Sequence, residues 1–186
     1  MQPALNCAIL SKDKSLSDFS AQELAREISI VLTSKTDHAQ LSAEEIVGIG
    51  RSPYTGFWGT LSAADKQIVA SALQETGIQH LAQRNISELS DGERQKVMIA
   101  KALAQQTRII ILDEPTAFLD FPSKIETLQM LRHLAHEQHK SILLSTHDVE
   151  LALQLSDRLW LMEESRFSIG TPKELAADGS LSRFIN

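Results

Sequence analysis

Two short apolar runs, Ile109 to Leu112 and Ile142 to Leu144, set the frame of this chain. Each ends in polar residues: Asp113-Glu114-Pro115 after the first, Ser145-Thr146-His147-Asp148 after the second. A brief, continuous apolar run of this kind predicts a buried strand, which carries the side chains that follow it to a sheet edge. Between the runs, Phe121 to Gln138 has a helical period, with Pro122 in the first turn and Ile125, Leu128, Leu131 and Leu134 on one face. Strand, helix and strand at these lengths make a parallel crossover unit.

Upstream, the pattern changes to helical spacing. Helices are predicted at Ala21 to Glu27, near Ala43 to Val47, near Ala63 to Gln74 and from Glu93 to Ala104. Ser20 with Glu23, Ser42 with Glu45 and Ser90 with Glu93 have the spacing of capping boxes. Three stretches follow. Residues 1–33 hold a strand, a helix and a buried strand around Ile30 to Thr33; 34–106 are mostly helical; 107–186 return to strands and helices, ending in an apolar pair near Arg158 to Met162 and Phe167 to Ile169. No repeat or low-complexity segment interrupts them.

Composition narrows the partners. The 186 residues are 42% hydrophobic, enough for one substantial core, as one domain or two subdomains. A net charge of −6 argues against a nucleic-acid partner, which requires a basic surface. No apolar run approaches the ~20 residues of a membrane span and the start lacks a signal-peptide pattern, so a cytoplasmic chain is expected. The single cysteine, Cys7, allows no internal disulfide and reads as a small reduced hydrophobe.

Open α/β sheets bind ligands at the carboxyl ends of their strands. Asp113 there suits a Mg²⁺ held on a triphosphate, and Glu114 suits an attacking water that must be oriented or deprotonated. The same two acids equally suit a strand that stops in a solvated turn. Spacing supplies the context: Ser90 lies 23 positions before Asp113, which lies 34 before His147.

In this order the motifs resemble the nucleotide-binding subunit of an ATP-binding cassette (ABC) transporter. Leu89-Ser90-Asp91-Gly92-Glu93 resembles the family signature LSGGQ, and Ile109 to Glu114 resembles the Walker B strand with its following glutamate. Ala117-Phe118-Leu119-Asp120 resembles the D-loop, and His147 stands where the family has its switch histidine. The resemblance runs from Pro3 to Leu181. It implies an α/β, P-loop NTPase-like core, a parallel sheet flanked by helices, with a helical subdomain. Gly48 to Tyr54 and Gly170 to Leu175 resemble the importer branch serving iron-siderophore, haem and cobalamin uptake, although ordinary loop chemistry, with Thr171 capping a short helix, also accounts for them.

The family scheme implies ATP and Mg²⁺ as cofactors, a second ATP-binding subunit joined head to tail, and a membrane permease that holds the chain on the inner face of the cell membrane. In that scheme Glu114 polarises water, His147 contacts the γ-phosphate and Asp113 organises Mg²⁺ through water. Asp120 reaches across the dimer, and Ser90, Asp91, Gly92 and Glu93 complete the site of the opposite subunit.

Three departures bear on those expectations. No glycine here is followed by lysine, so the Gly-Lys-Ser/Thr phosphate cradle is missing from the sequence. The chain thus reads as cut off at its N-terminus, before or through the P-loop, and isolated ATP hydrolysis is not expected. Thr33 occupies the position of the family's metal-contacting glutamine, with a shorter side chain and no amide. Asp91 replaces the first signature glycine and Glu93 the glutamine, adding negative charge to a helix N-terminus that favours anions.

Tyr54, Phe57 and Trp58 lie among Gly50, Pro53, Gly56 and Gly59, a segment that cannot be a regular helix. They either tuck beneath their loop or help form a groove for the permease. His133, His136 and His139 recur every third residue, as a solvated helix face or, with much less support, a metal site. Three function classes are open: the energy-coupling ATPase of a metal-chelate importer, a non-catalytic fragment that binds permease or subunit, and a soluble ABC-type ATPase. The last calls for a basic surface or a long coiled-coil insertion, and the sequence has neither.

Overall fold

The computed structural model describes residues 10–11, 14–32, 40–56, 58–163 and 166–185. A hairpin of β1 (Leu10–Ser11) and β2 (Lys14–Ser15) leads into α1 (Ala21–Glu27) and β3 (Ile28–Val31). Then come α2 (Ala43–Ile49), α3 (Ala63–Glu75) and α4 (Asp91–Ala104), followed by β4 (Ile109–Leu112), α5 (Phe121–Glu137), β5 (Ser141–Leu144) and α6 (Val149–Leu155). The chain closes with β6 (Leu159–Met162), β7 (Phe167–Gly170), α7 (Pro172–Ala177) and α8 (Ser180–Ile185). This is a parallel sheet flanked by helices, as the strand and helix pattern predicts.

Helix starts are encoded locally. Ser20, Ser42, Ser62, Ser90 and Thr171 each cap a helix and close a reciprocal capping box with an acid three residues on. Each box satisfies two backbone N–H groups that the first turn leaves without partners. The depressed pKa values of Glu23, Glu45, Glu93 and Glu174 arise chiefly from the backbone N–H that each carboxylate accepts; for Asp65 the Ser62 hydroxyl contributes most. Asp120 caps α5 by accepting from Ser123, and Pro122 fits the first turn because its missing N–H is needed by no partner there.

Strand β4 lies between β3 and β5, both parallel to it. Ile110 and Leu112 point into the core with Val31, Leu128, Leu131 and Leu134. The opposite face is different: Ile30 is 61% exposed and Leu32 56%, and Leu143 is also exposed. The strand expected to be buried around Ile30 to Thr33 is β3, which is half-buried and, among the described residues, lies at the edge of its sheet. A run apolar on both sides signals two covered faces, and here helices from the described residues cover one.

Strands β6 and β7 form a separate antiparallel ribbon with Trp160 opposite Ile169 and Met162 opposite Phe167. Those four side chains share its exposed face, while Leu161 and Gly170 are buried on the other. In the helical region, Ile46 and Val47 of α2 and Val97, Ile99 and Ala100 of α4 are completely buried. Gly50 is required by that packing: a Cβ there would stand 2.3 Å from the Lys101 carbonyl oxygen.

Candidate functional site

The register of the sheet brings the acids together. Leu112 pairs with Leu144, and the ladder continues one step further, with Asp113 N–H donating to Val31 O at 2.9 Å and Ser145 N–H to Leu112 O at 3.0 Å. Asp113 and Ser145 consequently leave adjacent strand ends side by side. The Ser145 hydroxyl donates to Asp113 Oδ1 at 2.7 Å and accepts from the Glu114 backbone N–H at 2.9 Å. One hydroxyl thus ties the two acids to each other.

Glu114 has φ of 44°, a left-handed conformation costly for a residue with a side chain. The turn is held by the Ser145 bond and by Ala117 N–H donating to Glu114 O at 3.1 Å. Its carboxylate meets His147 Nδ1 at 2.8 Å, with the His147 side chain 69% exposed. The carboxylate and imidazole are thereby paired at an open surface.

A second cluster forms where α4 and α5 begin. Ser90 donates its hydroxyl to Glu93 Oε2 at 2.8 Å and accepts from Glu93 N–H at 3.3 Å, and the same carboxylate accepts from Ser90 N–H at 2.9 Å. Asp91 pairs with Arg94 at 3.1 Å, which offsets its charge locally. A Cβ on Gly92 would lie 3.6 Å from Ser123 Oγ, ordinary contact distance, so this fold does not itself demand glycine there. Asp120 stands at the neighbouring cap and accepts from Ser123 N–H at 3.0 Å; its carboxyl is held below the usual range by the Ser123 hydroxyl and then by that N–H.

The donor set at β4 and β5 suits Mg²⁺. That ion takes oxygen ligands, keeps several waters and commonly uses one or two carboxylates together with substrate phosphates. Asp113 with the Ser145 hydroxyl offers hard oxygens of this kind, and no all-protein cage is needed. Among the described residues no group of three or more His, Cys, Asp or Glu could hold a metal by itself.

A family model described as ABC transporter matches residues 5–117. The chain belongs to the ABC transporter family. It is 40% identical over 163 residues to an uncharacterized ABC transporter ATP-binding protein of Methanocaldococcus jannaschii, covering 87% of this chain and 56% of that one. It is 38% identical over 149 residues to the iron(3+)-hydroxamate import ATP-binding protein FhuC of Bacillus subtilis, covering 80% of this chain and 55% of that one. Among solved structures, cbiO1 from Clostridium perfringens, part of the ABC transporter complex cbiONQ, superposes with a TM-score of 0.78 at 30% identity, over 95% of this chain and 70% of that one. The chain spans little more than half the length of these two curated ABC relatives.

The remaining candidate residues divide. Thr33 and Phe57 lie outside the described residues, as does Cys7. Trp58 is 87% exposed. Tyr54 stays partly exposed while its hydroxyl donates to Gln105 O at 3.0 Å and its ring lies 4.1 Å from the Arg51 guanidinium and 5.2 Å from that of Arg26. His136 pairs with Asp157 at 2.9 Å, and His139 lies beyond the end of α5 with φ of 52°, so the three histidines do not share one helix.

Sequence reasoning passed over Ser145 and Arg51. The first follows from strand register, which a sequence does not display. The second had one available signal, an arginine inside the Gly-rich segment that begins at Gly48.

Proposed function

We propose that this chain is the part of an importer ATPase subunit that carries the signature, the Walker B acids, the D-loop and the switch histidine, energising uptake of a metal chelate such as an iron-siderophore, haem or cobalamin. The observation that carries this reading is the hydrogen-bonded cluster of Asp113, Ser145, Glu114 and His147 at the carboxyl edge of a parallel sheet. The likeness to an iron(3+)-hydroxamate import protein supports the cargo class.

In this reading the divisions are 1–33 as the remnant of the ATP-binding core, 34–106 as the helical subdomain, and 107–186 as the catalytic strand ends and C-terminal part. Bound Mg²⁺ supplies charge neutralisation on the ATP phosphates. Asp113 would hold the metal through its water, with Ser145 fixing the Asp113 rotamer, and Thr33, at the position of the family's glutamine, would offer a hydroxyl. Glu114 takes a proton from the attacking water, and His147 steadies that carboxylate and faces the γ-phosphate.

Ser90, Asp91, Gly92 and Glu93 face the nucleotide of a second ATP-binding subunit, and Asp120 contacts that subunit. In the free chain the Ser90 hydroxyl hydrogen is committed to Glu93, so donating it to a phosphate requires opening the capping box. The amides of Asp91 and Gly92 have no acceptor within the helix and are ready for an anion. The segment that carries Tyr54, Phe57 and Trp58 meets the permease, and the Tyr54 and Trp58 side chains are both exposed. The permease holds the chain at the inner membrane face; among the described residues no helix is long and apolar enough to cross a membrane.

With no Gly-Lys-Ser/Thr in its sequence, the 186-residue polypeptide hydrolyses no ATP alone and meets phosphate through an intact subunit. The test measures ATP turnover of an intact relative's subunit with its permease as this chain is titrated in, and then repeats it with a full-length relative's subunit bearing the equivalent of Glu114→Gln. A loss of about 100-fold or more is expected for that change. Equal turnover with and without the carboxylate would remove Glu114 from the chemistry. A fall in turnover on adding this chain favours the non-catalytic, subunit-binding reading, which the missing Gly-Lys pair supports.

A further inference from the structure

The turn from Gly50 to Tyr54 has no part in the chemistry above, yet it holds a nearly solvent-free cation. Arg51 is 5% exposed. Its Nε donates to Asp65 Oδ1 at 2.9 Å near the start of α3, and its Nη1 donates to Ala104 O at 2.7 Å and Gln106 Oε1 at 2.9 Å at the end of α4. The guanidinium also lies against the Tyr54 ring, 4.1 Å from its centroid. Burial with three hydrogen bonds and a ring contact fixes the planar group in one orientation.

The same turn grips the core from its other side. Pro53 O accepts three bonds, from Gln22 Nε2 at 3.0 Å and from Arg26 Nε and Nη2 at 3.1 and 2.8 Å. Tyr54 donates to Gln105 O, and the Gln105 side chain donates on to Ala25 O at 2.6 Å and Ile28 O at 3.1 Å. Residues 51–54 therefore join three stretches far apart in sequence: the end of α1 with the start of β3, the start of α3, and the end of α4. Helix α4 is a single rod of 14 residues, about 20 Å long, whose opposite end carries Ser90 to Glu93. Strand β3 pairs directly with β4, which delivers Asp113.

We propose that Arg51 is a positioning residue that, with Tyr54 and Arg26, locks α4 to β3 and so sets the distance between the signature end of α4 and the acidic edge of the sheet. This rests on the function proposed above for those two sites, while the mechanical coupling itself is independent of nucleotide. Displacing the turn would then move both sites as a linked pair. Charge alone does not accomplish this. A lysine at position 51 can keep the pairing with Asp65 but cannot also reach Ala104 O and Gln106 from one planar fork.

Amide hydrogen exchange on the 186-residue chain tests this in Arg51→Lys and in Tyr54→Phe, which removes only the hydroxyl bond to Gln105 and keeps the ring. The informative amides are Arg94, which donates to Ser90 O, and Asp113, which donates to Val31 O. Expected is at least a fivefold acceleration at both amides in each variant, with the middle of α3 unchanged. Acceleration confined to residues 51–66 and 101–106 would overturn the proposal and leave Arg51 a local packing residue. Should Arg51→Lys not fold, Tyr54→Phe decides alone by the same two amides. Because no nucleotide is present, a failure of the catalytic reading leaves this measurement standing, and failure here leaves the Glu114 test untouched.

Discussion

The α2–α4 contact and the open faces of the sheet and ribbon treat their apolar side chains in opposite ways. Between α2 and α4, Ile46, Val47, Val97 and Ile99 have no solvent contact, whereas Ile30, Leu32 and Leu143 on the sheet and Trp160, Met162, Phe167 and Ile169 on the ribbon are exposed. The polar groups repeat the contrast. At the start of α4 the acids are occupied by Ser90 and Arg94, while the Glu114 and His147 pair opens to solvent. The α2–α4 contact completes its own interactions, and the open faces of the sheet and ribbon present apolar and ionisable surface. Contiguous apolar surface of that kind marks a place where something packs.

Mutation can break this contrast most directly in the core. Ile46→Ala is expected to cost about 2–5 kcal/mol in urea unfolding, because the site combines lost burial with a cavity between packed helices. Ile30→Thr, on the open sheet face, should cost at most about 0.5 kcal/mol. Equal costs at the two positions would show that the sheet face is covered in solution. Next in size is Gly50→Ala, expected to cost about 1–3 kcal/mol through overpacking, since its new Cβ meets backbone rather than a movable side chain.

The Ser90 box sharpens the comparison electrostatically. Ser90→Ala should cost about 1 kcal/mol at neutral pH. The Glu93 pKa is lowered chiefly by the Ser90 backbone N–H and then by its hydroxyl, so this stabilisation is present above the ordinary glutamate value and is lost as pH falls through the depressed folded value. The gap between wild type and Ser90→Ala should accordingly narrow on acidification, read from denaturant midpoints at pH 7 and pH 3. An unchanged gap would assign the effect to the pH-independent Glu93 N–H bond alone.

Smallest of all on stability is Gly92→Ala. Its Cβ meets Ser123 at ordinary contact distance and alanine favours helix, so the melting temperature should hold or rise slightly. If an anion approaches this backbone from an opposing subunit, the same substitution lowers turnover in the assembled complex without lowering the midpoint. A drop in both would make Gly92 a packing residue instead.

Much of the fold was legible because its signals are local. The α1 limits, the strand at Ile109 to Leu112 and the Ser90 box depend on residues within a few positions of one another, and all three occur where the pattern put them. The site was legible in part, through the acids after β4 and the histidine after β5. Ser145 escaped because its role depends on pairing Leu112 with Leu144 across a helix. The fate of Tyr54 was equally hidden, since Arg26 and Gln105 reach it from distant segments.

By itself the sequence determined where helices begin, which runs become strands and which polar residues those strands deliver, because capping and periodicity act over a few residues along one chain. Tertiary structure alone decided that Arg51 is a buried fork joining three segments, that Ser145 couples Asp113 to Glu114, and that Ile30 and Leu32 face outward. Those outcomes depend on which distant segments come into contact, and burial and hydrogen-bond partners exist only once they have done so.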